Sequence, residues 1–223
     1  MKYSKDKTGL LVGMLLGDAY LTKTGCLGIG HSIKQKDYLL YKKDRLKYFF
    51  TFSYTERYCG ENKQYLECFI QSNTTPYLKL MRKIWYKPNK VLSKKMVYKI
   101  SEEGLAYWYL DDGSLLFQRD KEKKIESRKG YLNTQGFSYE ENVLLQEVLK
   151  NKFDINTKIH KDRKYFRLYL NSNELRKLLK IISPYIPKSM KYKECYRYGK
   201  NNAKNNLCHK PCDIYNCPFS IIN

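Results

Sequence analysis

Two short apolar segments, each ending in an aspartate and set 94 residues apart, constrain this chain more than any other feature. The first, Thr8 to Asp18, is rich in helix formers and carries Gly9, Gly13 and Gly17 at i, i+4 and i+8. That spacing sets three glycines on one helical face, where a second backbone can approach closely. Each glycine costs an isolated helix about 1 kcal/mol relative to alanine, so close helix–helix packing is expected to offset it. The second segment, Ser101 to Gly113, reads SEEGLAYWYLDDG. Ser101 suits an N-cap, and Glu102 and Glu103 stand in the first turn, where the helix dipole favours acids. Leu105, Ala106, Trp108, Tyr109 and Leu110 make this helix apolar nearly all round, and so buried. Burying two such helices that end in Asp18 and Asp112 is costly unless the carboxylates have a chemical role.

The segments that follow each aspartate run in parallel. After Asp18 the pattern predicts strands over Ala19–Thr24 and Leu27–Ile33 and a helix over Lys36–Phe49. Strands over Ser53–Cys59 and Gln64–Gln71 and a helix over Thr75–Trp85 come next. After Asp112 it predicts strands near Ser114–Arg119 and Gly130–Phe137 and a helix over Ser138–Lys152. Strands near Thr157–Lys161 and Tyr165–Leu170 and a helix over Ser172–Ile182 complete it. A Pro- and Lys-containing connector, residues 87–99, joins the two halves. The chain therefore reads as one unit written twice, with halves at 1–94 and 95–195 and a basic, Cys-containing tail over 196–223.

Charge narrows the partner. Lys and Arg number 43 against 22 acids, a formal charge of +21, and a compact body with that charge calls for a polyanion. Part of the excess reflects Lys-, Asn-, Ile- and Tyr-rich coding, which alone does not explain scarce acids. No stretch approaches the ~20 apolar residues of a membrane span. The basic, apolar N-terminus is broken by glycines and ends in Gly17-Asp18 without a cleavage site, so it is not read as a secretion signal. Seven cysteines without regular spacing fit free thiols in a reducing compartment.

Two helices ending together would bring Asp18 and Asp112 close enough that both ionise only with a cation between them. Mg²⁺, or another hard divalent cation such as Mn²⁺, prefers such oxygen ligands, can activate water and stabilises a leaving 3′ oxygen. A lone Asp at a helix end is ordinarily a solvated cap; two matched ones argue for catalysis. The basic, alternating strands can lie in the major groove of double-stranded DNA. Candidate base-reading residues are Thr22, Thr24, His31, Lys34, Arg57, Gln118, Arg119, Asn133, Gln135, Lys158, His160 and Arg167. Lys42, Lys43 and Lys47 read as a solvated helix face.

Leu11-Val12-Gly13-Met14-Leu15-Leu16-Gly17-Asp18-Ala19 and Leu105-Ala106-Tyr107-Trp108-Tyr109-Leu110-Asp111-Asp112-Gly113 resemble the two nine-residue motifs of LAGLIDADG homing endonucleases, most closely the single-chain, intron-encoded omega type. The resemblance extends through Leu132-Asn133-Thr134-Gln135-Gly136-Phe137, Asn151-Lys152-Phe153, Pro184-Tyr185-Ile186-Pro187 and Met190-Lys191-Tyr192-Lys193, covering roughly residues 8 to 195. It implies an α+β fold of tandem, pseudo-twofold αββαββα halves, two central packed motif helices and a β-saddle over DNA. It implies that Asp18 and Asp112 bind divalent metal, helped by the main-chain carbonyls of Gly17 and Asp111. It also implies cleavage of both strands across the minor groove of a long target, leaving 3′ overhangs. Basic residues assist near the site in this family; Lys90 and Lys193 match by position, and Lys99 stands in a similar Met-Val-Tyr-Lys context. Tyr107 stands where the first motif has Gly13, an asymmetry that suits a monomer on a non-palindromic target.

Beyond Lys193 the resemblance fades. Cys195, Cys208, His209, Cys212 and Cys217 could hold a structural Zn²⁺, but the spacing lacks the usual CxxC knuckle, and free thiols are the simpler reading. The sequence leaves open a non-cleaving nucleic-acid-binding protein of the same fold, an intron RNA maturase or a transcriptional regulator, and an added intron-RNA role. The expected location is wherever the host DNA is, a bacterial or phage-infected cytoplasm or an organelle matrix, and not outside the cell.

Overall fold

In a computed structural model, which describes residues 6–61, 63–87, 89–119 and 125–194, Asp6 opens the first helix by accepting the Gly9 N–H at 2.9 Å. This helix, α1 (Lys7–Leu16), buries Leu10, Leu11, Val12, Met14, Leu15 and Leu16 to 2% exposure or less, as an all-round apolar surface requires. Each buried leucine contributes about 1.5–3 kcal/mol, more than the helical glycines cost. The second motif forms α5 (Glu102–Asp112), with the Ser101 hydroxyl accepting the Gly104 N–H at 3.1 Å as the expected cap. The glycines are where the two helices meet. A Cβ on Gly13 would stand 1.9 Å from the Gly104 carbonyl oxygen, and one on Gly104 would stand 2.2 Å from that of Gly9. Only hydrogen fits at either point.

After α1 come β1 (Tyr20–Leu21), β2 (Leu27–Ser32), α2 (Lys36–Leu46), β3 (Phe52–Cys59), β4 (Tyr65–Ser72), α3 (Pro76–Trp85) and a single-turn α4 (Lys94–Val97) inside the connector. After α5 come β5 (Gly113–Arg119), β6 (Ile125–Leu132), α6 (Tyr139–Phe153), β7 (Lys158–Asp162), β8 (Tyr165–Leu170) and α7 (Ser172–Ile182), with 3-10 turns at Ser183–Tyr185 and Lys188–Lys193. The strands make two antiparallel sheets of the same order, β1-β2-β4-β3 and β5-β6-β8-β7. The duplication read from the sequence is therefore present in the topology.

Two strands differ from expectation. β1 has two residues because the Thr22 hydroxyl accepts the Cys26 N–H at 2.9 Å and closes a turn over residues 22–26. β6 stops at Leu132, not Phe137, because Asn142 gathers the following loop, its amide reaching the carbonyls of Phe137 and Ser138 at 3.2 and 2.9 Å. Ser138 and Glu141 form a reciprocal capping box that starts α6.

By packing, the chain divides between Asp111 and Asp112 into two units. The division by packing and the division by repetition fall at different residues, because the second motif helix buries Glu103 to Leu110 within the first unit. Cys26, Cys59 and Cys68 are free thiols. Among the described residues no helix is long and apolar enough to cross a membrane. The tail cysteines and His209 lie outside the described residues.

Candidate functional site

Asp18 follows α1 directly, past Gly17, whose N–H still closes the helix on the Gly13 carbonyl at 3.2 Å. Gly17 has no room for a side chain: a Cβ there would meet the Asp111 carboxylate at 2.4 Å. Asp111 uses that proximity. Its Oδ2 accepts the Asp18 N–H at 3.1 Å, while its Oδ1 accepts from the Tyr38 hydroxyl at 2.8 Å and from Lys42 Nζ at 2.6 Å. The side chains of Lys42 and Asp111 are both 0% exposed.

Lys42 therefore departs from the solvated face expected of it. It lies on the buried stripe Tyr38, Leu39, Lys42, Arg45 and Leu46 of α2, whose helical spacing turns it inward. Arg45 on the same stripe pairs with buried Glu103 at 2.6 and 3.1 Å. Lys42 Nζ also lies 3.1 Å from His31 Nε2 and 4.4 Å from the Tyr38 ring centre. An ammonium only donates, so His31 Nε2 accepts and the ring proton sits on Nδ1. That Nδ1 faces Asp18 Oδ2 at 3.5 Å. Burial first, and Lys42 second, push the His31 pKa down to about 4, which keeps the ring neutral. Burial, then Asp111, raises the Tyr38 hydroxyl well above its ordinary range, so it stays a donor.

The donor atoms of Asp18, His31 and Asp111 lie within 4.8 Å of one another, a grouping able in principle to hold a metal ion. We do not read it as a three-ligand site. Both Asp111 oxygens accept protein hydrogen bonds, and the Lys42 ammonium already supplies the positive charge there. Asp18 is different: its side chain is 44% exposed and borders a cleft of about 380 Å³ with Tyr20, Gly30, His31, Ser32, Gln35, Glu67 and Phe69. An open, oriented carboxylate oxygen suits a hard divalent cation that keeps several of its waters.

The end of the second motif is held by other means. Asn133, expected to read bases, donates both its backbone N–H (3.0 Å) and its side-chain amide (2.8 Å) to the Asp112 carbonyl. Lys193 donates to the adjacent Gly113 carbonyl at 2.6 Å, which sets it beside Asp112 along the chain path. Lys90 pairs with Tyr86 in a β-bridge, and the Tyr86 hydroxyl accepts the N–H of Leu21, three residues after Asp18. Lys99 is at the other end of α1, where its carbonyl crowds Gly9.

Strand register sorts the remaining candidates by face, because paired residues share one. In the first sheet the rows Gly28–Gln71–Ser53, Gly30–Phe69–Thr55 and Ser32–Glu67–Arg57 share a face with Tyr20, and Gly30, Phe69, Ser32 and Glu67 of them border the Asp18 cleft. Arg57 is on it, its guanidinium 3.8 Å above the Phe69 ring. His31 is on the opposite face with Ile29, Cys68 and Ile70, 7% exposed, beneath Tyr38 of α2. Its placement under α2 speaks for support of Asp18 rather than base contact. Thr22 and Thr24 join hydroxyls at 2.9 Å in the turn, and Lys34 is exposed in the 3-10 turn Ile33–Gln35. Ser32, Ser53, Thr55 and Gln71 are exposed polar residues of the Arg57 face that the sequence reading passed over. The alternation Ser53-Tyr54-Thr55-Glu56-Arg57 carried that signal.

In the second sheet Lys158, His160 and Arg167 share a face with Tyr131 and Tyr169, away from the buried Leu132, Leu168 and Leu170. His160 stacks on Tyr169 with centroids 4.5 Å apart, and Arg167 lies 3.9 Å above the Tyr131 ring. Gln135 donates to Asp162 at 3.0 Å. Gln118 and Arg119 are on β5, on either side of a register shift, and their side chains lie outside the described ones.

The profile of the LAGLIDADG DNA endonuclease family matches residues 8–178. The uncharacterized protein MJ1098 of Methanocaldococcus jannaschii is 33% identical over 198 residues, covering 85% of this chain and 74% of that protein. The cytochrome b mRNA maturase bI2 of Saccharomyces cerevisiae is 32% identical over 146 residues, 60% of this chain and 31% of the maturase. Among solved structures, the homing endonuclease I-WcaI bound to its DNA recognition sequence matches with a TM-score of 0.68 at 25% identity, covering 86% of this chain and 87% of that one.

Proposed function

Because this chain belongs to the LAGLIDADG DNA endonuclease family, we propose that it is a site-specific homing endonuclease that cuts both strands of a long, asymmetric DNA duplex as a monomer. The observation that carries the reading is Asp18: an open carboxylate at a helix end, oriented by His31 and bordering the outward face of a sheet. Asp112 is its counterpart 94 residues on, and the carbonyls of Gly17 and Asp111 complete the proposed oxygen ligands. A divalent cation such as Mg²⁺ held there would activate water and stabilise the leaving 3′ oxygen across the minor groove, which yields short 3′ overhangs.

The chain's own groups do the rest. Asp111 fixes the Asp18 amide, His31 its carboxylate, and Asn133 the Asp112 carbonyl. Lys193, anchored on Gly113, is the proposed basic assistant of the second motif, and Lys90 that of the first. The outward residues Ser53, Thr55, Arg57 and Gln71 on one sheet and Lys158, His160 and Arg167 on the other supply side chains for base edges and phosphates. With a formal charge of +21, binding should weaken steeply as salt is added, because phosphate contacts release counterions.

A randomised duplex library incubated with the protein and Mg²⁺, followed by sequencing of the cut ends, tests this reading. One recovered asymmetric site with staggered ends is expected; recovery of no site would overturn it. The maturase similarity favours a second reading, binding of the intron RNA without cutting. That reading predicts retained RNA binding and no cut ends.

A further inference from the structure

Two separate contacts reach Asp18 from the protein interior, and both pass through Lys42. One runs from Nζ to His31 Nε2 (3.1 Å) and on from His31 Nδ1 to the Asp18 carboxylate (3.5 Å). The other runs from Nζ to Asp111 Oδ1 (2.6 Å) and on from Asp111 Oδ2 to the Asp18 amide (3.1 Å). The ammonium itself is fully buried, with the Tyr38 ring closing its remaining side at 4.4 Å. Burying a charged pair is rarely the cheapest way to fill a core, since apolar groups of similar volume do as well. Its position, bridging both handles of one aspartate, is what an apolar group could not reproduce. Asp111 stands at the repeat position of Gly17, so the first motif offers no carboxylate for a mirrored arrangement.

We propose that Lys42 is the positioning residue of Asp18: it fixes the Nδ1–H tautomer of His31 and the orientation of Asp111, and through them the carboxylate and amide of Asp18. This deepens the endonuclease reading and rests on it for its catalytic consequence. The tautomer is the distinctive element. A histidine side chain in water favours the proton on Nε2; here a donor-only neighbour at Nε2 forces it to Nδ1. With the proton there, Nδ1–H faces the Asp18 carboxylate at 3.5 Å, beside the Gln35 side chain that also bonds the ring.

The test is the two-bond ¹⁵N–¹H correlation spectrum of the His31 ring in the full-length protein at neutral pH. The wild-type ring should be neutral and protonated on Nδ1. In Lys42→Met, or in Lys42→Met/Asp111→Asn where the unpaired carboxylate threatens folding, the ring should revert to Nε2–H. Single-turnover cleavage of the duplex recovered from the library should fall about 10- to 100-fold in the same variants, the usual effect of losing a group behind a metal ligand, with duplex affinity unchanged. Lys47→Met, exposed at the C-terminal cap of α2, should alter neither. A wild-type ring protonated on Nε2, or a folded variant with unchanged tautomer, overturns the proposal. So does a folded variant that cuts at the wild-type rate. Were the wild-type protein to cut no duplex, the endonuclease reading would fail, while the tautomer would still decide whether Lys42 sets His31.

Discussion

Helix α2 in the first unit and α6 in the second each follow the first two strands of their sheet, but they bury different chemistry. α2 turns Lys42 and Arg45 inward to meet Asp111 and Glu103 of the second motif helix. α6 turns in Asn142, a neutral amide that accepts from the Thr134 hydroxyl and donates to the carbonyls of Phe137 and Ser138. The same contrast appears one step closer to the motif acids. The amide and carboxylate of Asp18 meet Asp111 and His31, whereas the main-chain carbonyl of Asp112 accepts from Asn133. Strand order is thus repeated while, among the described residues, the buried ion pairs of α2 have no counterpart on α6. Topology depends on patterns that many residues share, whereas an ion pair depends on two residues changing together. Glu103 and Asp111 stand where the first motif has Gly9 and Gly17, so the acids and their cations form an asymmetric addition to a symmetric plan.

The two units should therefore fail differently. The largest effect on stability is expected at Arg45, since Arg45→Met strands the buried Glu103 carboxylate and should cost about 3–5 kcal/mol by urea unfolding. Arg45→Met/Glu103→Met should recover most of it; no recovery would mean the pair's packing rather than its charge matters. Next comes acid. His31 titrates near 4 when folded against 6.5 ordinarily, so the unfolded chain takes up its proton first as pH falls. Stability from this site is complete above pH 6.5 and should fall by about 1.4 kcal/mol per pH unit toward pH 4, about 3 kcal/mol in all. His31→Gln should flatten the urea midpoint across that window, and a slope unchanged by the substitution would contradict a buried neutral ring. The smallest effect belongs to the second unit. Asn142→Leu loses neutral hydrogen bonds and should cost about 1–3 kcal/mol, with faster amide exchange in residues 133–138. A larger loss than at Arg45 would reverse the comparison.

Much of this was legible in the sequence because it is periodic. The glycine face of α1, the cap at Ser101, the Ser138 box and the duplicated element order all follow from spacing within a few residues. The two motif acids stood out because they recur. Lys42 was misread because a lysine on a helix is ordinarily solvated, although its spacing from Tyr38, Leu39 and Leu46 set it on the apolar stripe. What hid its role was its partner, 69 residues away. His31 was assigned to the wrong face although it keeps the parity of buried Leu27 and Ile29; its polarity outweighed its register. Asn133 belongs to the same class, a polar side chain committed to a backbone carbonyl 21 residues back. Long-range satisfaction of polar groups is what local pattern cannot supply.

The two motif aspartates carry the proposed chemistry, and exchanging each for its isostere tests them directly. Asp18→Asn and Asp112→Asn, purified separately, should bind the recovered duplex as tightly as the parent and cut neither strand efficiently in Mg²⁺. Either variant cutting both strands at the parental rate would contradict it.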